Sequence, residues 1–243
     1  MIIRLSLIIP VYNAETFISD TLARLTEWKQ KINYTVQVII VNDGSSDSTA
    51  ERIENYIKTT DPSLELISIK KNRGKGYAVK TGMLAALGQF RIYTDADIPF
   101  GFGVVEKILY YLEFKEFDVC IGNRKSVQST YFVHMDPIRK FASKIFTAII
   151  SRYVVTGVND TQCGLKGFKA PVAEELFSKL QTRGFAFDVE LLYLCFKYEY
   201  DIKRIPVSFE GNEHSTISLI KTSVQMSRDI FFLPFRYHFT KKY

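Results

Sequence analysis

Thr94-Asp95-Ala96-Asp97 follows the apolar run Phe90-Arg91-Ile92-Tyr93. Strand residues two apart point to the same side, so Asp95 and Asp97 are expected to face one point in space where a strand ends. Two such carboxylates suit one hard divalent cation, Mg²⁺ or Mn²⁺, that keeps positions open for phosphate oxygens. A solvated turn would use the same residue types, so the pair gains meaning from its surroundings. Two further stretches supply them. In Val41-Asn42-Asp43-Gly44-Ser45-Ser46-Asp47-Ser48-Thr49, Asp43 could accept hydrogen bonds from a base edge or a ribose. Gly44 permits a tight turn there, and Asp47 or Ser48 could cap the helix that follows. In Asn72-Arg73-Gly74-Lys75-Gly76-Tyr77, the glycines and Lys75 could bring N–H groups and a positive charge to phosphates. This stretch is neither a P-loop nor Gly-x-Gly-x-x-Gly, because Val79 stands three residues after Gly76. ATPase and dinucleotide-dehydrogenase readings both lose support.

The elements that must position these groups alternate. Leu5–Ile9 reads as a buried strand stopped by Pro10, and residues 16–29 as a helix with Phe17, Ile18, Leu22, Leu25 and Trp28 on one face. Val36–Val41, Leu64–Ile69 and Phe90–Thr94 read as strands, with helices over 48–58 and 77–87. That is the pattern of an α/β, mostly parallel sheet with helices on both faces. Such sheets bind ligands beyond the C-terminal ends of their strands. Pro10–Glu15, Asn42–Asp47 and Asp95–Asp97 all fall there. Further on, 118–122, 164–169 and 203–209 read as strands, around a helix near 188–197. Residues 138–153 read as a helix with an apolar face and a basic one, and the tail 218–239 as amphipathic.

At 243 residues and 47% hydrophobic, the chain can bury a large core as one large domain or as one domain with an appendage. Cys120, Cys163 and Cys195 lie far apart, which argues against a zinc site or a disulfide framework and fits a reducing cytoplasm. Arg4 and Ser6 interrupt the apolar start, so no signal peptide is expected. No uncharged apolar stretch reaches the roughly 18 residues a membrane span needs. The net charge of +6 is uneven. Residues 137–159 and 214–243 together hold nine basic residues against one acid, leaving the remainder at −2. A local anionic partner is therefore expected. No nucleic-acid-binding signature is present, so a phospholipid surface is the better candidate.

Taken in order, Ile9-Pro10-Val11-Tyr12-Asn13-Ala14-Glu15, the Asn42–Thr49 stretch, Asn72–Gly76 and Asp95-Ala96-Asp97 resemble an inverting nucleotide-sugar glycosyltransferase of the GT-A (Rossmann-like) fold. Gly122-Asn123-Arg124, Asp160–Lys166 and Gly184–Leu192 are similar to polyprenyl-phosphate (dolichyl-phosphate) glycosyltransferases, nearest the glucosyl-transferring branch. The resemblance implies one GT-A domain over 1–210, with a nucleotide-sugar half (1–125) and an acceptor half (126–210), followed by an amphipathic tail (211–243). It implies that Pro10, Tyr12, Glu15 and Asp43 line the base and ribose, and that Lys75 approaches the diphosphate. Asp95 and Asp97 would face the sugar nucleotide and Mg²⁺ or Mn²⁺, with Asp97 the more direct ligand. Arg124, Arg139 and Ser143 would hold the acceptor phosphate; Arg139 and Ser143 also share a helix face by their i,i+4 spacing. Gln162, Asp188 and Glu190 would form the sugar pocket. One departure stands out: some relatives place Gln two residues after the second Asp, and here that position is Pro99.

The activity so implied is transfer of a hexose to polyprenyl phosphate, with UDP-glucose as the favoured donor and GDP-mannose its rival. A glycan or protein hydroxyl is the alternative acceptor and would need a carboxylate base, Asp188 or Glu190. A non-catalytic binding module is opposed by the intact Asp95, Asp97 and Lys75. The expected location is the cytoplasmic face of a membrane, with peripheral attachment through the 138–153 helix and the tail around Phe231, Phe232, Phe235 and Tyr237. An integral-membrane partner or a homo-oligomer is compatible with this, and nucleic acid is not expected as a partner.

Overall fold

The computed structural model describes residues 2–124, Asp160, 163–210, Asp229 and 233–238. Arg139, Ser143, Gln162, the 138–153 segment and most of the tail lie outside the described residues.

In chain order the elements are β1 (Leu5–Val11), α1 (Ile18–Lys31), β2 (Val36–Asn42), α2 (Thr49–Thr59), β3 (Leu64–Ser68), α3 (Lys75–Ala85), β4 (Phe90–Tyr93), α4 (Gly101–Phe114) and β5 (Val119–Asn123). They continue with β6 (Lys166–Lys169), α5 (Ala170–Lys179), α6 (Phe187–Lys197), β7 (Ile202–Pro206) and α7 (Leu233–His238). The strands form one sheet in the order β3-β2-β1-β4-β6-β5-β7. All neighbours run parallel except β6, which is antiparallel to both β4 and β5.

The central strands are apolar along their whole length because both faces are covered. Leu5, Leu7, Ile9 and Val11 pack with α1 and α4 residues such as Leu22, Leu25, Ile108 and Leu112. Ile8, pointing the other way, packs with Ala78, Val79 and Met83 of α3 and with Phe177 and Phe187 from α5 and α6. The chain moves outward from β1 to β3 and then crosses back to β4. β1 and β4 therefore flank a topological switch point, where a crevice opens beyond the strand ends.

One element differs from the sequence expectation, and two helices were not anticipated. β1 does not stop at Pro10 but runs to Val11. β4 pairs only with Leu5–Ile8, so at Pro10 only β2 lies alongside and a missing N–H leaves no ladder partner stranded. Helices α4 and α5 were not legible. Helix α4 starts within Phe100-Gly101-Phe102-Gly103, where two glycines weaken any helical signal. Pro171 occupies the first turn of α5, where no intrahelical N–H is needed.

Candidate active site

The loops after β1 and β2 are tied to one another. Asn13, at φ 49°, accepts the Ser46 N–H at 2.9 Å, and its own N–H donates to Ser45 Oγ at 2.9 Å. Ala14 N–H donates to Thr49 Oγ1 at 2.7 Å. Asp47 accepts N–H groups from Thr49 at 3.0 Å and Glu15 at 3.2 Å, fulfilling the expected capping role. Glu15 in turn accepts the Ser48 N–H at 3.0 Å. Pro10 is buried in the strand, while Tyr12, just beyond its end, is 43% exposed.

Asp43 is buried, and its two oxygens accept the Arg73 and Gly74 N–H groups at 2.8 Å each. Burial nevertheless raises its carboxyl above the usual range, against the pull of those two N–H groups. The contact fixes the turn that aims Lys75. Gly74 is required in this turn: its φ is +99°, and a Cβ would lie 2.5 Å from Arg183 O. The Lys75 ammonium is ion-paired with Asp95 and lies 6.0 Å from the centre of the Phe185 ring. Burial pushes the Lys75 pKa down, but the Asp95 and Asp188 carboxylates outweigh it and hold the ammonium above its usual range. A cleft of about 960 Å³ runs beside this turn, lined by Ile69–Gly74, Arg183–Phe185 and Asp229.

Asp95 and Asp97 are not placed by strand alternation. β4 ends at Tyr93, and the pair sits in the turn beyond it. Helix α1 holds that turn: Thr21 Oγ1 donates to Ala96 O at 2.8 Å and Arg24 donates to Asp97 O at 3.2 Å. Ile98 sits at φ 47°, and its N–H closes the turn on Asp95 O at 3.0 Å. Gly164 lies against Asp95, since a Cβ there would come within 2.0 Å of Oδ2. The donor set is two hard carboxylates, which fits Mg²⁺ or Mn²⁺ with phosphate oxygens completing the shell. Among the described residues no group of three His, Cys, Asp or Glu side chains could hold a metal by itself. Pro99 adds no side-chain oxygen.

Arg124, expected at the acceptor phosphate, is held by Asp160 through two guanidinium bonds at 2.8 and 2.9 Å, and Asp160 also takes its backbone N–H at 2.8 Å. Burial would raise the Asp160 carboxyl, but the guanidinium outweighs it and holds it below the usual range. A depressed folded-state pKa stabilises the fold above the unfolded-state value near 4 and loses that contribution as pH falls through the folded value. We therefore expect Asp160→Asn to lower unfolding stability at pH 7 by about 1–3 kcal/mol. In urea titrations the deficit should shrink at pH 3; an equal deficit at both values would show that the ionised pair is not its source.

The acid pair opening α6 departs from expectation. Asp188 is buried, accepting the Tyr93 hydroxyl and the Lys166 ammonium, rather than open to a ligand, and its charge helps hold the Lys75 ammonium. Glu190 does not face a sugar pocket at all. It is fully buried, and it accepts the Gln181 and Thr182 N–H groups at 2.9 and 2.7 Å and the Tyr237 hydroxyl. Tyr237 is correspondingly 5% exposed and packs on Tyr193, so it is not a membrane contact. The expectation missed Thr21, Arg24, Asp160 and Lys166. For Lys166 a signal existed: in Lys166-Gly167-Phe168 it shares a strand face with Phe168, and that face had to be covered.

An Asp-x-Asp turn and a glycine-flanked lysine, gathered at the switch point of a mostly parallel sheet, define a nucleotide-sugar transferase of the GT-A class. The family model "Glycosyl transferase family 2" matches residues 6–177, and the chain belongs to that family. It is similar to the dolichyl-phosphate beta-glucosyltransferase of Dictyostelium discoideum, 34% identical over 97% of this chain and 75% of that protein. The Homo sapiens protein of the same name is 31% identical over 96% of this chain and 76% of its own length. Among solved structures, glucosyl-3-phosphoglycerate synthase from Mycobacterium tuberculosis, in complex with Mn²⁺, UDP and glucosyl-3-phosphoglycerate, matches with a TM-score of 0.69. At 16% identity, covering 96% of this chain and 79% of that one, this likeness shows the fold.

Proposed function

We propose that this chain transfers glucose from UDP-glucose to a polyprenyl phosphate of the dolichyl type, with inversion at the anomeric carbon. Similarity to dolichyl-phosphate beta-glucosyltransferases over nearly the whole chain supports the sugar and the acceptor class. One structural observation favours a phosphate acceptor over a hydroxyl. The two carboxylates that could serve a hydroxyl as base, Asp188 and Glu190, are buried and already bonded to Lys166 and Tyr93, and to backbone N–H groups and Tyr237. A polyprenyl monophosphate is anionic near neutral pH and attacks without a base.

Pro10, Tyr12, Glu15 and Asp43 line the base and ribose of the nucleotide, and Asp43 also holds the turn before Lys75. Lys75 meets the diphosphate and opposes the charge that grows on the leaving group. Asp97, with Asp95, would hold Mg²⁺ or Mn²⁺, which supplies further charge neutralisation at the diphosphate when bound. Arg124, with Arg139 and Ser143, receives the acceptor phosphate for in-line attack. Gln162 completes the sugar side. Residues 1–125 serve the donor and 126–210 the acceptor, while 211–243 form a tail whose α7 part packs on α6 through Tyr237 and Tyr193. No described helix is long and apolar enough to cross a membrane; the proposed meeting place with the lipid is a cytoplasmic membrane face, reached by peripheral attachment.

The deciding experiment incubates the chain with polyprenyl phosphate and a panel of radiolabelled nucleotide sugars, then counts label in the lipid phase. UDP-glucose is expected to give the highest transfer; label from GDP-mannose instead would reassign the donor, and label confined to a glycan or protein would overturn the acceptor. In the same assay Arg139→Ala is expected to raise the KM for polyprenyl phosphate about ten- to a hundredfold, as loss of a charge-assisted phosphate contact does. A change in the donor KM alone would remove Arg139 from the acceptor end.

A further inference from the structure

Lys166 is a fully buried ammonium that the mechanism above does not use. It exists because β6 runs antiparallel to its neighbours. That direction sets Lys166 opposite Tyr93, the last residue of β4, and delivers Cys163–Leu165 beside the Asp95 turn. The Lys166 ammonium donates to Cys163 O at 2.7 Å and to Asp188, which also accepts the Tyr93 hydroxyl. Gly164 rests on the Asp95 carboxylate with no room for a Cβ. Leu165 O accepts the Gly122 N–H of β5 at 3.0 Å, two residues before Arg124. Asp160, which grips Arg124, feels the Lys166 charge as well. The donor carboxylate and the acceptor arginine thus both rest on the segment this one cation pins.

We propose that Lys166 is a positioning residue that sets Asp95 and Arg124 in register by fixing the Cys163–Leu165 turn. This rests on the functional reading above, in which Asp95 serves the donor and Arg124 the acceptor. Removing the lysine alone would leave Asp188 buried without its cation and endanger the fold. The test therefore uses the neutral double variant Lys166→Met, Asp188→Asn, which keeps volume and removes both charges. Hydrogen exchange at Gly164, Leu165 and Arg124 should speed up by about tenfold or more while α1 stays protected. The kcat/KM for transfer should fall by about a hundredfold, the cost of a displacement near 1 Å at a reacting centre. A folded double variant that matches the unmodified chain in either readout overturns the proposal. If the double variant does not fold, Gly164→Ala decides, because it pushes the same turn off Asp95; kcat/KM within about threefold of the parent would overturn the proposal. If the unmodified chain transfers no sugar, the functional reading fails, and exchange at the three amides alone decides the role of Lys166.

Discussion

Replacing Asp97 by Asn is expected to lower sugar transfer by about a thousandfold or more while leaving the unfolding midpoint unchanged. An amide cannot supply the anionic oxygen that a hard divalent ion requires. Charge stabilisation by such an ion is worth several kcal/mol at a transition state, and about 4 kcal/mol is a thousandfold in rate. The fold should tolerate the change because the turn is held through backbone oxygens: Thr21 grips Ala96 O and Arg24 grips Asp97 O. Excess EDTA should abolish activity in the unmodified chain, and added Mn²⁺ or Mg²⁺ should restore it. Full turnover in EDTA would remove the metal from this site.

Lys75→Met is expected to reduce kcat by about a hundred- to a thousandfold, the usual cost of deleting one preorganised donor to a developing charge. The KM for the nucleotide sugar should rise as well. A second readout separates chemistry from folding. Lys75 pairs with Asp95, so it competes with a cation for that carboxylate. Without Lys75, Mn²⁺ should bind more tightly in the absence of nucleotide, by about two- to tenfold, measured by the loss of the free-ion paramagnetic resonance signal. An unchanged kcat with weakened Mn²⁺ binding would show that Lys75 organises the turn and does not meet the leaving group.

The division of labour between sequence and fold is visible at particular residues. The apolar runs at 5–9, 36–41 and 90–94 announced parallel strands, because strands buried on both faces leave no polar alternation to confuse with another element. The glycines around Lys75 and the Asp-x-Asp pair raised phosphate and metal chemistry as an expectation, because that stretch offers a cation in a glycine-permitted turn and the pair offers two carboxylates just beyond a strand. Local chemistry of this kind is written in neighbouring residues, and a single sequence is enough to read it. What Glu190 does could not be read that way. Its place in the first turn of a helix suits a ligand-facing acid as well as a buried latch. The difference depends on Gln181, Thr182 and Tyr237, which approach it from other parts of the chain. Asp95 and Asp97 were legible as a pair, yet the device that orients them is the distant α1, through Thr21 and Arg24. The sequence by itself determined the elements of the sheet and the residue types gathered at the strand ends where the nucleotide sugar is proposed to bind. Only the tertiary structure decided which charges are paired and which carboxylates are buried, because pairing and burial depend on the antiparallel insertion of β6 and the packing of α6, contacts between residues far apart in the chain, as Tyr93 and Asp188 are at 95 positions.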